Sequence, residues 1–325
     1  MNPPRKLSRR AFLTRSTMGA AGLGLAGVGL DVGFGGRELE SALPRARGQF
    51  PVVASEPWGR ILRIADRVWA LESDPLTDRT TLCNGGIVAG RAGVVMIEAF
   101  GSDEGARWMA RQAERLAGRP PTHVVLTHHH ADHTSGLRGA TETRGLEILA
   151  TAATLERVAE ASGTPEAAPE ADVTVIGDGR PTELDLGDRS LLLVPRRGHT
   201  ASDLTVEVFD APVVFAGDLV WNGMFPNYVD ASPGRLSRTV RVLRARGAEI
   251  YVTGHGALAD GEALDRYIDL LDHVEGAART AAAEGWSAAE AAARYRLPAE
   301  MEDWTLFDPG YVQRALGAWL RELEG

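Results

Sequence analysis

Cysteine and lysine are almost missing from this 325-residue chain. A single cysteine, Cys83, excludes an internal disulfide. It stands in the run Thr80–Val88 and reads as a packed strand residue, not a nucleophile. Lys6 is the one lysine. Beyond it, any anionic group must be met by arginine or by backbone donors. Basic excess is absent too: 35 Lys and Arg face 44 Asp and Glu, a formal charge of −9. Nothing suggests nucleic-acid binding, which would need a basic stripe, and nucleic acid is not an expected partner. The apolar stretch near the start, Met18–Leu30, has about a dozen residues, too few for a comfortable membrane span.

What is present is histidine, concentrated in one place. Four of the eight histidines fall in His128-His129-His130-Ala131-Asp132-His133. The run follows a buried-looking strand, Thr122–Thr127, and precedes the small residues Thr134–Gly136. It therefore sits on a loop at a sheet end, where side chains can converge. Alternate positions on an extended strand end point the same way, so His128 and His130 can share one ion. His129 points away and is not counted as a ligand. Asp132 and His133 lie just beyond, in place to serve a second ion about 3.5–4 Å from the first. Imidazole suits zinc and other first-row metals, and one carboxylate per site leaves room for water.

Three later segments repeat a pattern of apolar strand, glycine and metal-competent side chain. They are Leu191–Thr200 with Gly198-His199, Val213–Asp218 with Gly217-Asp218, and Ile250–Gly256 with Gly254-His255. Glycine ahead of the ligand permits a sharp turn and close backbone approach. Each segment alone is weak, because a histidine after glycine is more often a turn or a hydrogen-bonded partner. Four in order, each after a strand, are specific.

With these motifs over residues 58–260, the chain resembles metallo-β-lactamase-fold hydrolases. The resemblance implies an α+β protein, an αββα sandwich with two face-to-face sheets and helices outside. It also implies the ligand sets: His128, His130 and His199 for one metal, Asp132, His133 and His255 for a second, and Asp218 bridging. Asp218 stands where lactamases most like the type members carry cysteine. That points to the carboxylate-bridged hydrolase branches. Zinc is the default for both divalent ions, and the harder carboxylate ligand admits iron or manganese. Glu98 stands where the family often has Asp, and is expected to support a ligand without binding metal. The activity implied is a hydrolase that uses a metal-bridging hydroxide to cleave an amide, ester, lactone or thioester in a small molecule. Asp132 and Asp218 would hold the metals and orient the hydroxide. A β-lactamase, a mononuclear iron sulfur dioxygenase and a periplasmic accessory factor of a redox or cofactor system are the alternatives.

Outside the motifs, Ser8-Arg9-Arg10-Ala11-Phe12-Leu13 ahead of Met18–Leu30 reads as a twin-arginine export signal, residues 1–36. The export machinery is then a partner, and the protein is periplasmic or extracellular, membrane-tethered if the leader stays uncleaved. Residues 37–57 read as a linker. Residues 261–325 read as a helical extension, with helices expected over 262–283, 287–295 and 308–323. Substrate contacts are expected on Trp221–Asp230, from Phe225, Asn227 and Tyr228, and on a covering loop, Leu71–Asp78. His123 is expected to be structural, and His273 to be a surface or packing residue.

Overall fold

The computed structural model describes residues 5–7, 50–74, 76–162, 172–177 and 179–324. The Arg9-Arg10 motif and Met18–Leu30 lie outside the described residues, as do 37–49 of the expected linker. Residues 52–56, within that expected linker, form a strand of the first sheet.

Fourteen strands are described. In chain order they are β1 Arg5–Leu7, β2 Val52–Glu56, β3 Gly59–Ala65, β4 Val68–Ser73, β5 Gly85–Ala89, β6 Val94–Ile97, β7 His123–Val125, β8 Glu147–Thr151, β9 Asp172–Ile176, β10 Thr182–Asp185, β11 Ser190–Arg196, β12 Asp203–Val208, β13 Val213–Asn222 and β14 Ile250–Gly256. One sheet runs β1-β9-β8-β7-β6-β5-β4-β3-β2 and the other β10-β11-β12-β13-β14. The helices are α1 Asp103–Ala117, α2 Ala131–Thr134, α3 Leu137–Thr141, α4 Ala152–Ser162, α5 Pro233–Arg246, α6 Gly261–Glu284, α7 Ala288–Arg294 and α8 Gly310–Glu324.

The strands are apolar on both faces because both faces are covered. Val88, Val95, Ile97, Val125 and Leu149 of the first sheet meet Leu191, Leu193, Leu204, Val206 and Phe215 of the second in one buried cluster. The outer face of the first sheet, including Ile87, Met96, Val124 and Ile148, packs on Met109 and Ala113 of α1. The outer face of the second, Val214, Ala216 and Val220, packs on Leu236 and Val240 of α5, Leu270 and Val274 of α6, and Leu316 and Trp319 of α8. This is the four-layer α+β sandwich expected. Each buried aliphatic or aromatic side chain contributes about 1.5–3 kcal/mol, which fixes the layers against each other. The C-terminal helices are part of this packing. They share one core with β13.

In the first sheet β6, β7, β8 and β9 run parallel. Their C-terminal ends open on one edge, the usual place for a ligand site in such a sheet. In the second, β13 and β14 are parallel neighbours, so Asp218 and His255 emerge side by side. β13 runs through Asp218 to Asn222, with register irregularities between Phe215 and Trp221. A bulge re-aims side chains beside a site, and Asp218 sits inside this one.

Candidate metal centre

Two groups of donors meet at the open edge of the sandwich. Nε2 of His128 lies 3.1 Å from Nδ1 of His130, which lies 3.0 Å from Nε2 of His199. Asp218 Oδ2 completes this set at 3.2 Å from His199 Nε2 and 3.8 Å from His128 Nε2. In the second set, Asp132 Oδ2 lies 3.1 Å from His255 Nε2 and 3.6 Å from His133 Nε2. Asp218 Oδ1 lies 3.1 Å from His133 Nε2 and 3.4 Å from His255 Nε2. All seven residues expected to bind metal are therefore together, with one oxygen of Asp218 facing each set.

These separations fit a bound cation. A tetrahedral ion with bonds of about 2.0–2.1 Å has ligand–ligand edges of about 3.3–3.4 Å. Among the described residues, the buried atoms His133 Nε2 and Asp218 Oδ1 face each other without forming a proper hydrogen bond. Buried polar atoms are normally satisfied, so converging donors left this way suit a shared ion.

The protonation pattern agrees. Burial holds His128 well below the ordinary imidazole range and takes His199 down to about 3, so both are neutral donors. Burial also opposes charge on His255, but Asp218 and Asp132 outweigh it and lift it to about 9. Burial would raise Asp132, yet His133 and His255 draw it down to about 2. Carboxylates in the second set are thus balanced by imidazolium protons, which a cation would displace.

The supporting groups are built from the same strand ends. Glu98, at the end of β6, has a left-handed backbone, φ 77°, and is 1% exposed. Such strain persists where the surroundings enforce it, often at functional sites. Glu98 Oε1 accepts from the Thr127 hydroxyl and lies 3.1 Å from His133 Nδ1. Thr127 Oγ1 in turn lies 3.0 Å from His128 Nδ1. One carboxylate thereby steadies a histidine of each set, the supporting role expected of it.

Other supports had weaker signals. Asp203 accepts from the backbone N–H groups of His199 and Thr200, closing the turn that carries His199. Trp221 packs on the His255 ring at 4.2 Å and donates from Nε1 to the Asp218 carbonyl. Asn84 donates to Gly256 O and Thr253 Oγ1, bracing β14. Only position in the chain hinted at these: Asp203 follows His199 by four residues, and Trp221 follows Asp218 by three.

Two expected substrate contacts are corrected. Phe225 and Tyr228 are 0% and 1% exposed and belong to the core shared by β13, α5, α6 and α8. The C-terminal helices bury those rings, which leaves them no free face for a substrate. Asn227 is partly exposed, and its side-chain oxygen accepts from Val229 N, forming a local turn. Besides Trp221, the residue of that segment that reaches the cluster is Asp230. Its Oδ2 lies 2.9 Å from His130 Nε2 and 3.3 Å from His129 Nε2. In Leu71–Asp78, buried Asp78 accepts from Thr80 N and Thr81 N and from the hydroxyls of Ser73 and Thr81. That carboxylate makes the segment a stapled turn. His123 contacts Thr122 Oγ1 at the far end of β7, and His273 contacts Arg296 O, so both lie outside the cluster.

Comparison with known proteins agrees with this geometry. The chain is 27% identical over 194 residues to a metallo-beta-lactamase type 2 of Bacillus sp. (strain 170), covering 58% of this chain and 72% of that one. It is 27% identical over 135 residues to a hydroxyacylglutathione hydrolase of Rhodospirillum rubrum, covering 41% of this chain and 48% of the relative. Among solved structures, a metallo-beta-lactamase from Pontibacter korlensis superposes with a TM-score of 0.55 at 22% identity, over 66% of this chain and 99% of that one. The family model described as the Metallo-beta-lactamase superfamily matches residues 79–255, a span running from the turn pinned by Asp78 to the last histidine of the cluster. With that span and the His/Asp cluster in register, the chain belongs to the metallo-β-lactamase superfamily.

Proposed function

We propose that the protein is a dinuclear metal-dependent hydrolase, zinc being the default metal, that cleaves a carbonyl-centred bond in a small molecule. The observation that carries this reading is Asp218, whose two oxygens each face a separate set of histidines. Divalent cations in those sets supply Lewis acidity toward a carbonyl and activate water near neutral pH. The chain's own part is to hold and orient. Asp218 joins the sets and fixes their spacing. Asp132, with its side chain 32% exposed, is the ligand carboxylate nearest solvent and is in place to orient the attacking water. No protein nucleophile is required. Cys83 is fully buried, and burial pushes its thiol up to about 12. The relatedness to a hydroxyacylglutathione hydrolase and to a metallo-beta-lactamase keeps thioester, ester, lactone and amide substrates in range. Asp218 at the bridging place favours the first three over a β-lactam.

A panel of a glutathione thioester, an acyl-homoserine lactone, an aryl ester and nitrocefin tests the reaction. Metal analysis of the same protein should give about two equivalents per chain. Metal-free preparations after loading, or a loaded enzyme inert toward the whole panel, would refute the proposal.

We further propose export by the twin-arginine route, on the order Arg9-Arg10 and then Met18–Leu30. Exchange of both arginines for lysine should retain the protein inside the cell. Unchanged localisation would end that reading.

A further inference from the structure

A cleft of about 550 Å³ lies beside the His199 turn, at the same edge as the metal cluster. Its walls carry Arg196, Arg197, Arg235 and Arg238, with Ser202 and Thr151. Arg196 pairs with Glu207 at 2.9 Å, a carboxylate that it shares with Arg246. The other three are exposed, and none forms an ion pair among the described residues. Elsewhere on α5 the arginines are engaged: Arg241 with Asp272, Arg244 with Asp265 and Arg246 with Glu207. Guanidiniums lining one cleft repel one another, although Arg238 also has the Glu322 carboxylate near it beside Gly234. An oxyanion placed among them relieves that repulsion and can be gripped in bidentate fashion.

The cleft is tied to the metal ligands on two sides. Ser202 lies three residues from His199 in the turn closed by Asp203, and Thr151 at the end of β8 hydrogen-bonds to Ser202 from below. Arg235 and Arg238 rise from the first turns of α5. Ser232, which opens that helix, donates its N–H to Gly198 O at 3.0 Å, and Asp230 just before it contacts His130. The backbone that carries Arg235 and Arg238 is thus tied to the segments of both His199 and His130. The volume is that of a small-molecule site.

We infer that this cleft is a substrate subsite for an oxyanionic group, a carboxylate or a phosphate, carried on the substrate away from the bond to be cleaved. The inference rests on the hydrolase reading above and supplies its substrate class: acyl compounds with a free acid, in preference to neutral esters.

The experiment pairs esters of matched length, 4-nitrophenyl hexanoate and the mono-4-nitrophenyl ester of adipic acid, on metal-loaded wild type and on Arg235→Ala/Arg238→Ala. In the variant, KM for the adipate ester should rise by at least about tenfold with kcat nearly unchanged, while the neutral ester is unaffected. Equal KM values for the two esters in wild type, or a variant that leaves their ratio unmoved, would overturn the subsite with the hydrolase reading intact. Calorimetric titration of adipate and of hexyl phosphate reads binding without turnover. The ligand that loses more affinity in the double variant identifies the oxyanion. Identical affinities of wild type and variant for both would refute the subsite even if neither ester is hydrolysed, a failure that bears on the reaction instead.

Discussion

His130 turns its Nε2 toward the Asp230 carboxylate, 2.9 Å away, while its Nδ1 lies between His128 Nε2 and His199 Nε2. A carboxylate on the outer nitrogen fixes the tautomer and leaves the inner lone pair free for a cation. Removing such a partner typically costs 10–100-fold in metal affinity. Asp230→Asn should therefore weaken the His128/His130/His199 set by about 10–100-fold in chelator competition. The Asp230 side chain is 48% exposed, so thermal stability of the metal-free protein should hardly move. Unaltered affinity would show that Asp230 does not position His130.

Gly254 sits against Asp218. A Cβ there would meet Asp218 Oδ1 at 1.8 Å, so the carboxylate has to shift. Misplacement by about 1 Å can cost 100-fold in rate, and a loss of about that size is expected for Gly254→Ala, with metal content reduced. Asp218→Ala should abolish turnover with circular dichroism retained. Wild-type activity in either variant would remove Asp218 from its joining role.

Glu98 holds both Thr127 and His133 in a fully buried place. Glu98→Ala leaves those groups without their partner, which costs about 1–3 kcal/mol in denaturant unfolding. Glu98→Gln keeps an acceptor for Thr127 and should cost clearly less. If the two variants prove equally stable, the carboxylate is not what the pocket needs.

Chelation should lower the melting temperature, and zinc should restore it. A cation that binds only the folded state stabilises by about 1.4 kcal/mol for each tenfold of free metal over Kd. A melting temperature indifferent to chelator would mean that the donors fold without needing an ion.

The segments that carry the ligands were readable because each follows a strand and, in three cases, has a glycine before the ligand, while the division into two sets came from the family resemblance. Glu98 was placed by the family resemblance, but Asp203 and Asp230 are single acids, and nothing in the local sequence says what they will face. Asp230 contacts His130 across 100 residues. Helix α1 is legible in its amphipathic spacing and its Ser102 and Gly118 caps. Strand β2 is not, because Val52–Glu56 is a half-exposed sheet edge in a Pro- and Gly-containing context. Phe225 and Tyr228 misled for a related reason. An aromatic beside a site looks the same in sequence as one claimed by a distant helix, and here α5, α6 and α8 claim them.

The donors are divided between the two sheets. His128, His130, Asp132 and His133 leave the end of β7, His199 lies in the β11–β12 turn, and Asp218 and His255 stand on β13 and β14. A cation held by both would therefore act as a rivet through the open edge of the sandwich. Away from that edge the sheets are joined by broad apolar contact and by a few polar ties, such as Arg67 with Asp188 and the Ala92 N–H with the Leu186 carbonyl. Such a rivet would add directional bonds to those ties, so the reaction chemistry and the alignment of the two sheets would share the same few ligands.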